Sequence, residues 1–165
     1  MVSMFSLEGK NAAVVGGASG IGEAVAIAFA EHGASVLCLD VDITGALDTA
    51  ATITDMGGEA DAGQLNILDG KAVTAAFESF NVKKGSLDIV VCTPGVNVRK
   101  PILDYTDEEI DRVLGVNLKG NAHVIQSAGR IMTSQGSGSI ILFSSIRSVV
   151  VEPGQSMYAA TKAGI

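Results

Sequence analysis

The sequence is short of cysteine and of positive charge. Its 165 residues include 2 cysteines and 11 lysines and arginines, against 18 acidic residues, which gives a net charge of -7. Such an excess of negative charge repels phosphodiester backbones and anionic lipid surfaces. The densest basic cluster is the pair Lys83 and Lys84. The charge balance therefore argues against a nucleic acid or an acidic membrane as the partner of this protein.

Metal ligands and membrane-length runs are also scarce. Cys38 and Cys92 both lie in apolar runs, which favours reduced thiols packed in a core and a cytoplasmic protein. His32 and His123 have no second ligand at metal spacing, so we expect no metal site, and His32 is placed to cap a helix. No segment reaches the roughly 18 consecutive apolar residues of a membrane span, so we expect no membrane association.

What the sequence does contain is enough apolar material for a large core, at 47% hydrophobic and 18% charged residues. Continuous apolar runs of strand length alternate with helical patterns, as expected when helices cover both faces of a parallel sheet. We predict a single doubly wound α/β domain over residues 1–165, a Rossmann fold with five parallel strands. The predicted strands are 11–15, 35–39, 59–65, 87–92 and 139–143, and the predicted helices are 21–31, 44–56, 70–80, 107–132 and one that begins near 156.

The end of the chain predicts an incomplete domain. The last predicted helix stops at Ile165 without a capping glycine or a following strand. A sheet of five strands would also leave its last strand as an open edge, which proteins normally cover. We therefore expect further strands and helices to be missing at the C-terminal end.

A glycine-rich turn follows the first predicted strand and leads into a helix. Gly16, Gly20 and Gly22 allow positive φ and close approach of the backbone, while Ser19 and Ile21 lie where a helix N-terminus binds a pyrophosphate. Glycines at such a turn also serve packing alone. The position of the turn in a repeating strand-helix array favours a dinucleotide site, and the missing Gly-Lys-Ser/Thr ending argues against a P-loop NTPase.

Polar residues after the second and third strands extend this predicted site. Asp40 stands eighteen residues after Gly22, close to the spacing of an acidic residue that accepts hydrogen bonds from the adenosine ribose. A carboxylate there repels a 2′-phosphate and so favours NAD over NADP. Asp42 is a second candidate for this role, and an ordinary loop aspartate is the alternative. Asn66 is placed to meet the adenine edge or to form an ordinary turn.

A reactive group of side chains follows the fifth predicted strand. Tyr158 and Lys162 are four residues apart on the last helix and therefore share one face. An ammonium beside a phenol stabilises the phenolate, which suits the pair to proton transfer, although such pairs also occur on solvated helices. The hydroxyl of Ser145 is placed to orient a substrate oxygen. Arg147 lies beside it, either as an anion-binding group or as an exposed loop arginine.

These motifs together resemble the short-chain dehydrogenase/reductase family. The resemblance covers essentially the whole chain, and it rests on four ordered motifs. They are the cofactor turn T-G-x-x-x-G-x-G at 15–22, the strand 87–90 before the N-N-A-G motif, the Asn-Leu-x-Gly segment at 117–120, and Ser145 with Tyr158 and Lys162 at the family's thirteen-residue interval.

The resemblance implies a mechanism and a cofactor. Tyr158 would act as general acid-base, Lys162 would favour its phenolate and bind the nicotinamide ribose, and Ser145 would position the reacting oxygen. Asn117 would hold a proton-relay water, although its place on an apolar stripe also fits a purely structural hydrogen bond. The expected reaction transfers hydride between NAD(H) and a secondary alcohol or ketone, and the expected full-length protein is a homo-oligomer.

Two departures from the family pattern stand out. Val15 replaces the threonine of the glycine turn, and Cys92-Thr93-Pro94-Gly95 replaces N-N-A-G, with Gly95 retained as a cofactor-binding position. We therefore expect altered geometry at the end of the fourth strand. Two rival interpretations stay open at this point: a catalytically silent nucleotide-binding remnant, and a methyltransferase-like fold that would give Tyr158 and Lys162 no role.

Overall fold

A computed structural model describes residues 5–165. Strands and helices alternate along the chain, joined by short loops and two 3₁₀ turns at Ile102–Asp104 and Ile146–Ser148. The order is β1 (Asn11–Val15), α1 (Gly20–Glu31), β2 (Ser35–Asp40), α2 (Ile43–Asp55), β3 (Glu59–Gln64), α3 (Gly70–Lys84), β4 (Ile89–Cys92), α4 (Asp107–Leu114), a π-helical segment (Gly115–Gly120), α5 (Asn121–Gln135), β5 (Ser139–Leu142) and α6 (Ser156–Gly164).

The strands form one parallel sheet in the order β3-β2-β1-β4-β5. In the ladder Val15 is paired with Leu39 on one side and with Cys92 on the other, so three strands end at one level. Strands β2 and β3 lie on one side of β1, and β4 and β5 lie on the other, so the order of the strands switches between β1 and β4. Ligands of open α/β sheets bind outside the carboxyl ends of the strands at such a switch point. The predicted fold class is confirmed.

The core lies in two layers, one on each face of the sheet. On one face the strands pack against α3 and α5, with Phe77 and Val124 fully buried. On the other face they pack against α1 and α2, with Ala26 and Ile53 at the centre. Because both faces are covered, the central strand β1 is buried along nearly its whole length. The central strands thus explain the continuous apolar runs of the sequence.

The outer strands differ from the prediction. β3 is not a continuous apolar run, because it forms one edge of the sheet and its residues are only partly buried. β5 forms the other edge, and its Ile141 is exposed. The fourth strand begins at Ile89 rather than Leu87, since the backbone N–H and C=O of Leu87 pair with the side-chain amide of Gln135 at 2.9 and 3.1 Å.

The predicted long helix 107–132 is a composite. It begins at Asp107 as predicted, and it extends to Gln135. A capping box marks its start, in which the side chains of Thr106 and Glu109 each accept a hydrogen bond from the other's backbone N–H. Between α4 and α5 the chain forms the π-helical segment, which the apolar periodicity does not predict. A π-turn widens the helix and releases a carbonyl group from the ladder. This segment carries Asn117.

In residues 5–165 the helices are all too short or too polar to cross a membrane.

Candidate active site

The glycine turn leaves β1 at its carboxyl end and bends directly into α1. Gly16 has φ +85° and Gly20 has φ +57°, a region of backbone conformation that other residues rarely adopt. A Cβ at Gly22 would overlap the carbonyl oxygen of Gly16, so the helix and the turn are in direct backbone contact. Ser19 is the N-cap of α1, and its hydroxyl makes no capping hydrogen bond. The open helix N-terminus and this hydroxyl both suit an anionic group.

Thr93 ties the end of β4 to this turn. Its hydroxyl donates to the carbonyl oxygen of Val15 at 3.1 Å and lies 3.3 Å from that of Gly16, while its backbone N–H also donates to Val15 at 3.0 Å. The expectation of altered geometry at Cys92-Thr93-Pro94-Gly95 stays a prediction. A threonine hydroxyl joins the two loops even though the family's asparagines are absent.

The two aspartates after β2 have different positions. One carboxylate oxygen of Asp40 accepts from the backbone N–H of Ala18 in the glycine turn at 3.1 Å, and the other accepts from Asp42 at 3.1 Å. The carboxylate of Asp42 instead caps α2, where it accepts from Thr44 and Gly45 at 3.1 and 3.2 Å. Asp40 is the aspartate that borders the glycine turn.

A cavity of about 460 Å³ lies over the carboxyl ends of the central strands. Asn66 lines it and forms a turn, since its side-chain oxygen accepts from the N–H of Leu68 at 3.0 Å. Its contact with an adenine edge stays a prediction. Asp40 is the charged side chain of the lining. The lining residues are Val15, Gly16, Ser19, Gly20, Ile21, Asp40, Val41, Leu65, Asn66, Ile67, Thr93, Pro94, Gly95, Val96 and Val116.

A second cavity, of about 440 Å³, brings together Ser145, Tyr158 and Lys162. It shares the lining residues Ile21, Thr93, Gly95 and Val96 with the first cavity. The Nζ atom of Lys162 lies 5.6 Å from the centre of the Tyr158 ring. The hydroxyl of Ser145 accepts from the backbone N–H of Arg147 at 3.2 Å, which leaves its own proton free to be donated. The structure thus places the three predicted side chains in the lining of one cavity.

Lys162 is held almost completely inside the protein, at 5% exposure. Its ammonium donates to the backbone oxygen of Phe143 at 2.6 Å, and its own carbonyl accepts from the hydroxyl of Ser144 at 2.6 Å. Burial lowers the pKa of Lys162 below its ordinary value, while the neighbouring Cys92 acts in the opposite direction. The ammonium is therefore fixed at the end of β5, where its hydrogen-bond acceptor is a neutral backbone oxygen.

Asn117 is fully buried on the π-helical segment. Its side-chain oxygen accepts from the N–H of Val96 at 2.8 Å, and its side-chain nitrogen donates to the carbonyl of Val96 at 2.9 Å and to the hydroxyl of Thr161 at 3.0 Å. Three of the four hydrogen-bonding positions of the amide are thus used by the protein. The side chain holds the loop after β4 against α6, next to Tyr158 and Lys162.

Some residues of the site were not singled out by the sequence, and others were weighed differently. Gln155 and Asn97 line the second cavity with Arg147, and the Arg147 side chain is only 23% exposed because it pairs with Glu152. The alternative of an exposed loop arginine is therefore wrong. Of the three residues, only Arg147 could be recognised from the sequence, because it stands two residues after Ser145. Asn97 and Gln155 come from separate loops.

The histidines have structural partners. As predicted, His32 caps the end of α1, with its ring nitrogen 2.8 Å from the carbonyl of Ala28, and His123 lies 2.8 Å from the carbonyl of Ile67. In the part of the chain that the structure describes, histidine, cysteine and carboxylate side chains form no group of three that could hold a metal ion.

The family profile described as short chain dehydrogenase matches residues 10–165. The chain belongs to this family. The recognition of the family from its motifs is therefore confirmed.

Relatives of this family member include named oxidoreductases. The chain is 34% identical over 159 residues to "3-oxoacyl-[acyl-carrier-protein] reductase FabG" of Thermotoga maritima, a match that covers 96% of the chain and 65% of the relative. It is 36% identical over 165 residues to "Oxidoreductase asL5" of Sarocladium schorii, which covers 100% of the chain and 65% of the relative. The chain thus spans 65% of the length of each of these relatives.

Solved structures agree in fold. A short-chain type dehydrogenase/reductase from Mycobacterium marinum matches with a TM-score of 0.92 at 31% identity, over 97% of this chain and 66% of that one. A dehydrogenase/reductase from Sinorhizobium meliloti 1021 matches with a TM-score of 0.91 at 33% identity, over 99% of this chain and 65% of that one. In the present chain, the glycine turn and the three motif side chains border two adjoining cavities.

Proposed function

We propose that this protein is an NAD-dependent oxidoreductase that interconverts a secondary alcohol and its ketone. The observation that carries the proposal is the adjacency of the two cavities, which share Ile21, Thr93, Gly95 and Val96. One cavity has the features of a dinucleotide site, and the other holds Ser145, Tyr158 and Lys162. A substrate in the second cavity would therefore lie beside the end of a cofactor in the first.

The residues of the first cavity fit a dinucleotide. The open N-terminus of α1, with the backbone of Ser19, Gly20 and Ile21, would hold the pyrophosphate, and Asn66 would border the adenine. Asp40 would accept hydrogen bonds from the adenosine ribose. Because Asp40 is the charged residue of the lining and no basic side chain stands there, the site favours NAD over NADP. The bound nicotinamide would supply or accept the hydride.

The residues of the second cavity would move the proton. We infer that the hydroxyl of Ser145 binds the substrate oxygen, since its own proton is free to be donated. The hydroxyl of Tyr158 gives its proton to that oxygen in reduction and takes it back in oxidation. The ammonium of Lys162 stabilises the phenolate left behind and would also bind the nicotinamide ribose.

The proposal gives Asn117 two tasks. Its side chain fixes the loop that carries Gly95 and Val96, as its three hydrogen bonds support. The proposed relay water would bind to the remaining lone pair of the side-chain oxygen or to the backbone carbonyl of Asn117. That carbonyl accepts from the side chain of Asn121 at 2.7 Å and keeps a second lone pair.

The proposed function extends to the substrate class, the oligomeric state and the location of the protein. The substrate is a small alcohol or ketone, and the relatives' name adds 3-oxoacyl thioesters to the candidates. A homo-oligomer located in the cytoplasm is the expected form of the full-length protein.

The experiment is a titration with NADH and with NADPH, followed by fluorescence, with turnover of a ketone panel measured on the same preparation. We expect saturable binding with NADH preferred. Asp40→Asn should raise the affinity for NADPH relative to NADH on the order of tenfold, because removing a like-charge contact with the 2′-phosphate gains about 1–2 kcal/mol. Asp42→Asn is the matched control and should leave the preference unchanged.

Tyr158→Phe separates chemistry from binding in the same experiment. The variant should lose turnover by at least about a hundredfold, the usual contribution of a general acid, while NADH binds as before. Turnover that is unchanged in Tyr158→Phe would refute the assigned chemistry. NADH binding without turnover of any ketone would favour the silent remnant instead.

A further inference from the structure

The second cavity carries a charge opposite to that of the chain. Its lining includes the basic side chains of Arg147 and Lys162 and no acidic side chain, although the chain has 18 acidic and only 11 basic residues. Two amides, Asn97 and Gln155, complete its polar part. A partly enclosed site lined by one sign of charge concentrates ligands of the other sign. The cavity therefore suits an anion.

Arg147 lines the cavity together with Ser145. Its backbone N–H donates to the hydroxyl oxygen of Ser145 at 3.2 Å, so the two residues adjoin. Its guanidinium donates to the carbonyl of Val150 at 3.4 Å and pairs with Glu152. A guanidinium has five N–H donors, and these contacts use two of them. The others are open to a ligand.

Glu152 holds this arginine without cancelling the local positive charge. Its carboxylate also accepts hydrogen bonds from the guanidinium of Arg99 at 3.2 Å and from the side-chain nitrogen of Gln155 at 2.9 Å. Gln155 in turn accepts from the side chain of Asn97 at 3.4 Å. One carboxylate shared by two guanidinium groups leaves a net charge of about +1 in the cluster, and buried Gln155 fixes its geometry.

Resting on the proposed oxidoreductase function, we propose that the substrate is a short oxo acid or hydroxy acid with a free carboxylate. Arg147 binds that carboxylate, with the amides of Asn97 and Gln155 beside it, while Ser145 and Tyr158 hold the oxygen that is reduced or formed. The planar guanidinium matches a carboxylate with two parallel hydrogen bonds. A 3-oxoacyl thioester, which is neutral at this position, gains nothing from Arg147.

The first test needs no turnover. Calorimetric titration of the chain with butanoate and with butanamide compares an anion with a neutral molecule of the same size. We expect butanoate to bind at least about tenfold more tightly, the range of a charge-assisted hydrogen bond. Arg147→Gln should remove that preference, and Arg147→Lys should restore part of it. Arg112→Gln, on the exposed face of α4, removes the same charge elsewhere and should change nothing.

The second test uses turnover of short oxo acids and of their methyl esters. Arg147→Gln should lower the ratio of kcat/KM for the acid over that for the ester about 10- to 100-fold, mainly through KM for the acid. Equal binding of butanoate and butanamide, or an unchanged ratio in Arg147→Gln, would overturn the proposal. Failure of NADH to bind would count against the proposed function alone, since the butanoate titration does not depend on the cofactor.

Discussion

A single buried amide connects three parts of the candidate active site. Asn117 joins the backbone of Val96 to the hydroxyl of Thr161 and is fully buried. We predict that Asn117→Ala lowers the free energy of unfolding by about 2–4 kcal/mol, because buried donors and acceptors lose their partners. Urea unfolding measures this change. The control is Asn97→Ala, whose exposed amide makes one 3.4 Å contact and should cost under about 1 kcal/mol.

An Asn117→Ala variant no less stable than Asn97→Ala would contradict this account of the amide. The position of Asn117 was predictable, because an asparagine on an apolar stripe requires a partner, but its partners were not. The same division holds for Arg147. Its neighbour Ser145 is adjacent in sequence, whereas Arg99, Glu152 and Gln155 meet it only through the folding of separate loops.

Two helical glycines have opposite reasons for being glycine. A Cβ at Gly22 in α1 would overlap the backbone of Gly16, whereas a Cβ at Gly129 in α5 would have no neighbour within 4 Å. We predict that Gly22→Ala destabilises the fold by several kcal/mol and weakens NADH binding, since backbone cannot give way cheaply. Gly129→Ala should stabilise it by about 0.5–1 kcal/mol, the helix propensity difference. Urea unfolding of both variants checks the pair of signs.

The start of α4 was predictable, because the capping box of Thr106 marks it. The ends of α3 and α5 were predicted too early, at 80 and 132, before the positive-φ glycines Gly85 and Gly136 that end these helices. The π-helical segment was not predictable, because the apolar stripe runs through it without a change of residue type. The edge position of β3 depends on strand order, which the residues of that strand do not encode.

Equal stability of the Gly22→Ala and Gly129→Ala variants would contradict the prediction for the two glycines, because it would show that the backbone of the glycine turn can shift to make room for a Cβ.

The charge of the chain as a whole shapes its response to acid. At neutral pH the net charge is -7, and it falls to zero near pH 4.7, so mild acid relieves repulsion within the folded chain. Below that point the carboxylates themselves lose stabilising partners. A hydrogen bond from Lys84 lowers the pKa of Glu59. Burial opposes the shift at Asp88, but Ser86 and Asn11 hold its pKa below the ordinary value. Stability should therefore fall as pH drops below about 4.5.

The stability of the folded chain at alkaline pH depends on its two thiols. Burial raises the pKa of Cys38 to about 11 and that of Cys92 to about 12, from an ordinary value of 9.0, although Lys162 opposes the shift at Cys92. Below pH 9.0 both thiols are neutral in the folded and the unfolded chain. Above it the unfolded chain releases these protons while the folded chain keeps them. The free energy of unfolding must then decrease as pH rises through this window.

The decrease is measurable by urea unfolding from pH 7 to about pH 11 in the presence of a phosphine reductant, which keeps both thiols reduced. Once the unfolded thiols are ionised, each contributes a slope of about 1.4 kcal/mol per pH unit, so wild type should lose up to about 3 kcal/mol per unit more than the double variant Cys38→Ala, Cys92→Ala. Other titrating groups are common to both proteins and cancel in the difference, except Lys162, whose charge interacts with Cys92. Val36→Ala removes buried apolar volume without a thiol, so its cost should not depend on pH. Parallel alkaline profiles for wild type and the double variant would mean that the two thiols ionise as readily in the folded chain as in the unfolded one.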